Sequence, residues 1–135
     1  MIICNFDGGC WPNPHGSAGG GVLITTDGEI LIEKGFYVGC GKGMSSNVAE
    51  YAALILALKH LKKHGMCGEK IVVRGDSTLV INQMKGKWKI KSGLYKEYAL
   101  LAKSLVKDFS NISFRWIPRD LNTVCDSLAE EALRY

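Results

Sequence analysis

Residues 1–9 read MIICNFDGG, and this stretch decides the fold. The short apolar run at residues 2–6 predicts a buried strand, and Asp7-Gly8-Gly9 predicts that a loop follows it. Residues 10–17 contain two prolines, a glycine and an asparagine, which is the composition of a loop. An acid at the carboxyl end of a central strand lies where open α/β sheets bind their ligands. Asp7 is therefore the first candidate site residue.

The rest of the chain alternates strand and helix patterns around this first strand. Two strands joined by the Asp27-Gly28 turn are predicted first, and then apolar residues at helical spacing predict a helix from Val48 to about His64. The predicted strands lie at residues 2–6, 19–25, 29–38, 70–75 and 112–117, and the later helices at 77–84, 93–108 and 121–133. This order predicts an α/β fold, a single domain at residues 1–135 with a five-stranded mixed sheet and helices on both faces. The strands beginning at residues 2, 71 and 112 are expected to be parallel and central.

The composition is that of an ordinary globular protein. Apolar residues make up 47% of the 135 residues and charged residues 22%, so the chain can bury a core without disulfides. No apolar run reaches 18 residues and no signal-peptide pattern is present, so we expect no contact with a membrane. The five cysteines form no CxxC pair, which favours reduced thiols and a cytoplasmic location. The net charge of +4 suits a polyanionic partner only weakly, and we expect a monomer.

Four acids are flanked by apolar, core-like residues: Asp7, Glu50, Asp76 and Asp126. Each has an ordinary explanation, because Asp7 suits a turn, Glu50 a capping box begun by Asn47, Asp76 a helix N-cap, and Asp126 an exposed helical position. Buried unpaired carboxylates are costly, however, and a set of them is best explained by a metal. Hard cations such as Mg²⁺ prefer oxygen ligands, and two such ions can assist an in-line phosphoryl displacement.

Five motifs, in this order and with these gaps, resemble the type 1 ribonuclease H family, and the resemblance runs from residue 2 to residue 133. The motifs are Asp7-Gly8-Gly9-Cys10-Trp11-Pro12-Asn13-Pro14, Gly19-Gly20-Gly21-Val22, Asn47-Val48-Ala49-Glu50-Tyr51, Gly75-Asp76-Ser77, and Arg119-Asp120-Leu121-Asn122 with Cys125-Asp126. The resemblance implies a ribonuclease H-like fold. It also implies an endonuclease that hydrolyses the RNA strand of RNA–DNA hybrids to 5′-phosphate and 3′-hydroxyl products.

The same resemblance implies two Mg²⁺ ions, with Mn²⁺ as a substitute, held by the four carboxylates. In this scheme Asp7 holds both ions, Glu50 and Asp76 hold the ion at the leaving group, and Asp126 holds the ion at the nucleophile.

The resemblance also implies a set of substrate contacts. A glycine-rich loop follows the RNA strand and contacts its ribose hydroxyls, which distinguish RNA from DNA. Asn47 is implied as a base contact, and Asn122 either caps the last helix or touches substrate. The residues implied by matching positions are Gly8, Gly9, Cys10, Asn13, Ser45, Ser46, Asn47, Ser77 and Asn122.

A lysine segment lies at residues 85–91, with Lys85, Lys87, Lys89 and Lys91 around Trp88 and no acid among them. It is either a solvated basic turn or a groove for the phosphates of the DNA strand, which would make affinity depend on salt. Many members of the resembled family carry a longer basic insertion here, and this chain lacks it.

The loop before Asp126 is a second departure from the family, because several members have a histidine there. This chain reads WIPRDLN at residues 116–122. Loss of the chemistry is not implied, because metal ions can activate water without it.

Three other classes of protein remain as alternatives. A proofreading-type exonuclease begins its site with Asp-x-Glu, but Asp7 is followed by two glycines. A non-catalytic nucleic-acid-binding module would tolerate loss of a carboxylate, yet all four are present. A nucleotide-binding enzyme is disfavoured because there is no Walker P-loop and no GxGxxG after the first strand.

Overall fold

The computed structural model describes residues 1–133. Arg134 and Tyr135, the last residues of the predicted domain 1–135, lie outside the described residues, and that single domain stays a prediction. The elements are β1 (Ile2–Trp11), β2 (Ser17–Thr26), β3 (Glu29–Cys40), α1 (Ser46–Lys63), β4 (Ile71–Gly75), α2 (Thr78–Met84), α3 (Lys96–Val106), β5 (Ile112–Trp116) and α4 (Thr123–Ala132), with a 3-10 turn at Arg119–Leu121.

The five strands form one mixed sheet in the order β3-β2-β1-β4-β5. Strand β1 pairs antiparallel with β2 and parallel with β4, and β4 pairs parallel with β5. The predicted mixed sheet is therefore confirmed. The expectation that the strand at residue 112 is central is wrong: both edges of β1 are taken by β2 and β4, so β5 adds at the outer edge of β4.

Strand β1 is longer than the sequence predicts. The predicted loop at Gly8 and Gly9 is wrong, because these residues continue the ladder opposite Gly20 and Gly19 of β2. Glycine is needed at residue 8 for close packing. A Cβ there would lie 2.3 Å from the carbonyl carbon of Ala49 in α1, far inside van der Waals contact. Gly8 therefore marks a close approach of helix to strand rather than a turn.

Helices cover both faces of the sheet, as predicted. Helix α1 packs on the face formed by Cys4 and Phe6, where the main hydrophobic core lies. Helix α4 packs on the opposite face, against β1, β2 and β3. Within residues 1–133 no helix combines the length and apolar character needed to cross a lipid bilayer.

Candidate metal centre and nucleic-acid site

Three carboxylates from three parts of the fold meet in one cluster. One oxygen each of Asp7, Glu50 and Asp76 lies within 4.8 Å of the others. Asp7 comes from β1, Glu50 from α1, and Asp76 from the position directly after β4. The pairing of β1 with β4 ends at Asn5 and Arg74, so the two strands part where the two aspartates stand. The sheet topology therefore brings together acids that are far apart in the sequence.

The capping roles that Glu50 and Asp76 could have had belong to serines instead. The Ser45 hydroxyl accepts a hydrogen bond from the Val48 amide at 3.1 Å and caps α1, which places Glu50 beyond the first turn. The Ser77 hydroxyl accepts from the Val80 amide at 3.2 Å and caps α2. Both carboxylates are therefore available to a ligand.

Burial and mutual repulsion make the ionised form of this cluster costly. Asp7 is 4% exposed, and burial followed by the charge of Asp76 raises its pKa to about 7. Burial and the charge of Asp7 raise the pKa of Glu50 well above its usual range, and burial also raises the pKa of Asp76. Within the described part of the chain, the Glu50 Oε2 atom is buried without a hydrogen-bond partner. A cation at this point would offset the repulsion between the carboxylates and would coordinate the unpaired oxygen of Glu50.

The fourth predicted carboxylate, Asp126, lies beside the cluster but in a different setting. It projects from α4 and is close enough to Asp7 to influence the pKa of that group. Its own oxygens accept from Arg119 Nη2, at 3.2 and 3.5 Å. Its side chain is 31% exposed, and among the described residues it is the one of the four carboxylates that forms an ion pair, with the exposed Arg119.

All four carboxylates line one open pocket of about 580 Å³. Four other predicted residues, Gly8, Gly9, Cys10 and Ser46, also line it. Arg119 and Trp116 line it too, and neither was predicted as a site residue. The full lining is Asp7, Gly8, Gly9, Cys10, Ser46, Glu50, Asp76, Trp116, Arg119, Asp126, Ala129, Glu130 and Leu133.

Arg119 and Trp116 had weak sequence signals. Arg119 opens the motif before Asn122, but its approach to Asp126 depends on the 3-10 turn between them. The Trp116 indole Nε1 donates to the backbone carbonyl of Asp76 at 3.1 Å, across the ends of β5 and β4. A tryptophan at the end of a strand is normally taken for core, and only the sheet pairing shows that this one reaches the pocket.

The predicted RNA-side residues gather at the N-terminus of α1. The Asn13 side-chain oxygen accepts from the Ser46 amide at 3.0 Å and so joins the end of the segment after β1 to the helix start. Ser45 caps the helix, and Asn47 lies in its first turn, half-buried. Cys10 is buried and its thiol donates to the carbonyl of Pro12 at 3.3 Å.

Asn122 does not act as a side-chain cap. It is 2% exposed and makes no capping hydrogen bond to α4. Its side-chain Nδ2 instead donates to the backbone carbonyl of Phe6 at 2.9 Å, which ties the start of α4 to the residue before Asp7. Its Oδ1 atom is buried with no hydrogen-bond partner among the described residues, and a contact of Asn122 with substrate stays a prediction.

The lysine segment lies apart from the carboxylate pocket. Lys85, Lys87, Lys89 and Trp88 are exposed, and the segment flanks a second cavity of about 480 Å³ with Gln83 and Tyr95. Its backbone is held firmly. The buried Gln83 amide donates to the carbonyl of Lys89 at 3.0 Å, and the Lys91 amide donates to the Tyr95 hydroxyl at 3.3 Å. Its cationic side chains are thus displayed on an ordered turn.

Comparison with known proteins places this arrangement in a family. The model of a family described as reverse transcriptase-like matches residues 5–132. A protein of Halobacterium salinarum named ribonuclease HI is 38% identical over 95% of this chain, and the bifunctional protein Rv2228c of Mycobacterium tuberculosis is 34% identical over 98%. The chain spans 62% of the length of the first protein and 35% of the second.

Solved structures agree with this relationship. The N-terminal ribonuclease H domain of Rv2228c superimposes with a TM-score of 0.88 at 35% identity, covering 98% of this chain and 93% of that one. The LC11 ribonuclease H1, solved in complex with an RNA/DNA hybrid, gives 0.84 at 38% identity, covering 99% and 97%. The chain therefore belongs to the reverse transcriptase-like family, in its type 1 ribonuclease H branch.

Proposed function

We propose that this chain is a metal-dependent endonuclease that hydrolyses the RNA strand of RNA–DNA hybrids and leaves 5′-phosphate and 3′-hydroxyl ends. One observation carries the proposal: the carboxylates of Asp7, Glu50 and Asp76 converge within 4.8 Å at the base of an open pocket. The similarity to ribonuclease HI of Halobacterium salinarum and to the hybrid-bound LC11 enzyme supports the choice of substrate.

The residues present fit divalent cations. All the converging ligands are carboxylate oxygens, which suit Mg²⁺ and Mn²⁺, and Glu50 Oε2 lacks any partner among the described residues. Asp7 interacts with each of the other three carboxylates, so its position suits a ligand shared by two ions. The chemistry that such a pair of ions supplies is activation of the attacking water and stabilisation of the leaving 3′ oxygen.

The protein's own residues would orient the RNA strand. Gly8 and Gly9 line the pocket on β1, so backbone can come close to a ribose without an intervening side chain. Ser46 and Asn47 stand at the start of α1, next to Glu50. A hybrid with its RNA strand here would place ribose hydroxyls against groups that a DNA strand could not satisfy.

The lysine segment would bind the other strand. Its side chains are exposed and free of acidic partners among residues 1–133, while its backbone is anchored by Gln83 and Tyr95. Phosphate contacts from lysines contribute affinity without sequence preference, because they release bound counterions. The DNA strand of the hybrid is the expected occupant.

The test uses end-labelled RNA–DNA hybrid, double-stranded RNA and double-stranded DNA, each with Mg²⁺, Mn²⁺ or EDTA. Internal cutting of the RNA strand of the hybrid alone, lost in EDTA, is expected. Equal cutting of both strands, or release of mononucleotides from one end only, would contradict the proposal.

A non-catalytic binding module is the second candidate, because Arg119 already occupies Asp126. It predicts that the hybrid is bound but stays intact with either metal. A binding assay run beside the cleavage assay separates the two functions.

A further inference from the structure

Among residues 1–133, no helix packs over the part of one sheet face that β4 and β5 form. Helix α4 covers β1, β2 and β3, whereas the same face of β4 and β5 carries half-buried and exposed side chains. Arg74 and Arg115 stand side by side on this open face, next to Asn5 of the covered strand β1, because Asn5 pairs with Arg74 and Arg74 pairs with Arg115 in the strand register. The core side chains of the same strands point the other way.

Two arginines in register on neighbouring strands repel each other. Like charges directly opposite in a sheet are destabilising, and among residues 1–133 neither Arg74 nor Arg115 forms an ion pair. The side chain of Arg115 is exposed and makes no hydrogen bond to any described residue. An uncompensated cation pair of this kind suits an anion brought from outside the chain.

One member of the pair is already oriented. Arg74 Nε donates to Asn5 Oδ1 at 2.9 Å, and Asn5 is 7% exposed. A buried acceptor thus fixes the plane of the guanidinium and leaves its terminal nitrogens for another partner. Arginine in a fixed plane matches the oxygens of a phosphate through paired hydrogen bonds.

The arginine pair lies close to the carboxylate pocket, although neither arginine lines it. Asp76 lies two residues beyond Arg74, Asp7 lies two beyond Asn5, and Trp116 follows Arg115. Two residues of an extended strand span about 7 Å. A nucleic-acid strand that enters the pocket would therefore pass the arginines with a phosphate close to the one attacked.

We propose that Arg74 and Arg115 form a phosphate subsite for the RNA strand, beyond the phosphate that is cleaved. This inference rests on the proposed function, since it requires a hybrid in the pocket. It adds an anchor on the RNA side to the one that the lysine segment would provide on the DNA side.

The test measures hybrid binding in Ca²⁺, where no cleavage is expected, for Arg74→Gln, Arg115→Gln and the double variant. Lys59→Gln with Lys63→Gln removes the same charge from the far end of α1 and serves as the matched control. The double variant should bind about 10-fold more weakly, and the slope of log affinity against log salt should fall by about 0.9 for each lost contact. The Lys59→Gln, Lys63→Gln control should keep the wild-type slope of log affinity against log salt, once the change in net charge is corrected for.

A walk of single neutral methylphosphonates along the RNA strand locates the contact. Wild-type protein should lose affinity at one position close to the cleaved bond, and the double variant should be insensitive there. If the losses from variant and methylphosphonate add at every position, the subsite is refuted. Circular dichroism melting identifies any loss of folding caused by freeing Asn5. Arg115→Gln, which removes no hydrogen bond or ion pair to a described residue, must still show the effect.

The two proposals fail differently. If wild-type protein neither binds nor cuts the hybrid, the proposed function is wrong. If it does both and the double variant keeps the wild-type salt slope, only the arginine subsite is wrong.

Discussion

The carboxylate cluster and the lysine segment are built in opposite ways. Asp7 and Glu50 are buried on rigid elements and repel each other, so the fold holds them in place at a cost. The lysines at residues 85–91 are exposed, and only their backbone is anchored, through Gln83 and Tyr95. The carboxylates suited to metal binding are thus held where their ionised form is costly. The lysine side chains suited to binding phosphate are left free on an ordered turn.

The first prediction concerns the buried side of the contrast. Asp7→Asn should lower the rate of hybrid cleavage at saturating Mg²⁺ by about 10³-fold or more, because Asp7 interacts with all three other carboxylates. Asp76→Asn should behave similarly. A gel assay with labelled hybrid measures both. Asp120→Asn, which removes an exposed acid from the 3-10 turn outside the pocket lining, is the matched control and should cut normally. Near-normal cleavage by Asp7→Asn would contradict the assignment of Asp7 as a metal ligand.

The second prediction concerns the stability of the cluster without metal. The pKa of Asp7 is raised to about 7, whereas an unfolded aspartate titrates near about 3.9. The folded state therefore binds the proton more tightly, so this stabilisation is complete below about pH 4 and is lost as pH rises through about 7. In EDTA the melting temperature should fall by roughly 5 °C between pH 5 and pH 8.

Mg²⁺ should reverse that fall at pH 8, because a ligand of the folded state alone stabilises it. Asp7→Asn should show a smaller dependence on pH and should be more stable than wild type in EDTA at pH 8. Differential scanning calorimetry across the pH series measures both. Identical pH dependence of the melting temperature in the two proteins would mean that the ionised form of Asp7 is not destabilised by burial and by its neighbouring carboxylates.

The sequence predicts most of the fold because its local signals are strong. Helical spacing from Val48 onward and the Asp27-Gly28 turn specify α1 and the β2–β3 hairpin, which the structure confirms. The signals fail where tertiary contact overrides local preference. Gly8 and Gly9 are loop-forming in isolation, but here they pair with β2 and continue β1, and at Gly8 the missing side chain gives α1 room to pack.

The residues of the candidate site likewise fall into those that the sequence identifies and those that only the folded structure identifies. The four acids could be selected from their apolar surroundings and motif order, and the structure places all of them in one pocket. Arg119 and Trp116 could not be selected, because their relation to Asp126 and Asp76 exists only after the strand ends and the 3-10 turn are in place. The buried position of Asn122 is likewise a product of packing between α4 and β1.

The third prediction concerns the exposed side of the contrast. Replacing Lys85, Lys87, Lys89 and Lys91 with alanine should reduce the salt slope of hybrid binding by about 0.9 for each true phosphate contact. The loss should raise KM more than it lowers kcat, because these contacts bind substrate and transition state alike. Fluorescence titration in Ca²⁺ gives the slope, and steady-state cleavage gives the kinetic constants.

The matched control for this quadruple variant removes four other lysines, on α1 and α3 or just beyond them: Lys59, Lys63, Lys103 and Lys107. It has the same net charge, so a nonspecific effect of charge would appear equally in both proteins. An equal salt slope in the two quadruple variants would show that residues 85–91 form a solvated turn without phosphate contacts.

The fourth prediction, with the smallest effect, concerns Trp88 within the lysine segment. Its side chain is 47% exposed and flanks the cavity next to Lys89 and Lys91, so it contributes little to the core. Trp88→Ala should therefore change the free energy of unfolding by less than about 1 kcal/mol. It should weaken hybrid binding by about threefold to tenfold if the indole packs against the DNA strand, since a flat aromatic surface on an anchored turn adds contact area beside the lysine charges. Trp88→Phe should restore part of that affinity, while the salt slope stays at the wild-type value because no charge has changed. A large loss of stability with unchanged affinity would instead assign Trp88 to the packing of the turn, and would leave the lysines as the segment's sole contribution to binding.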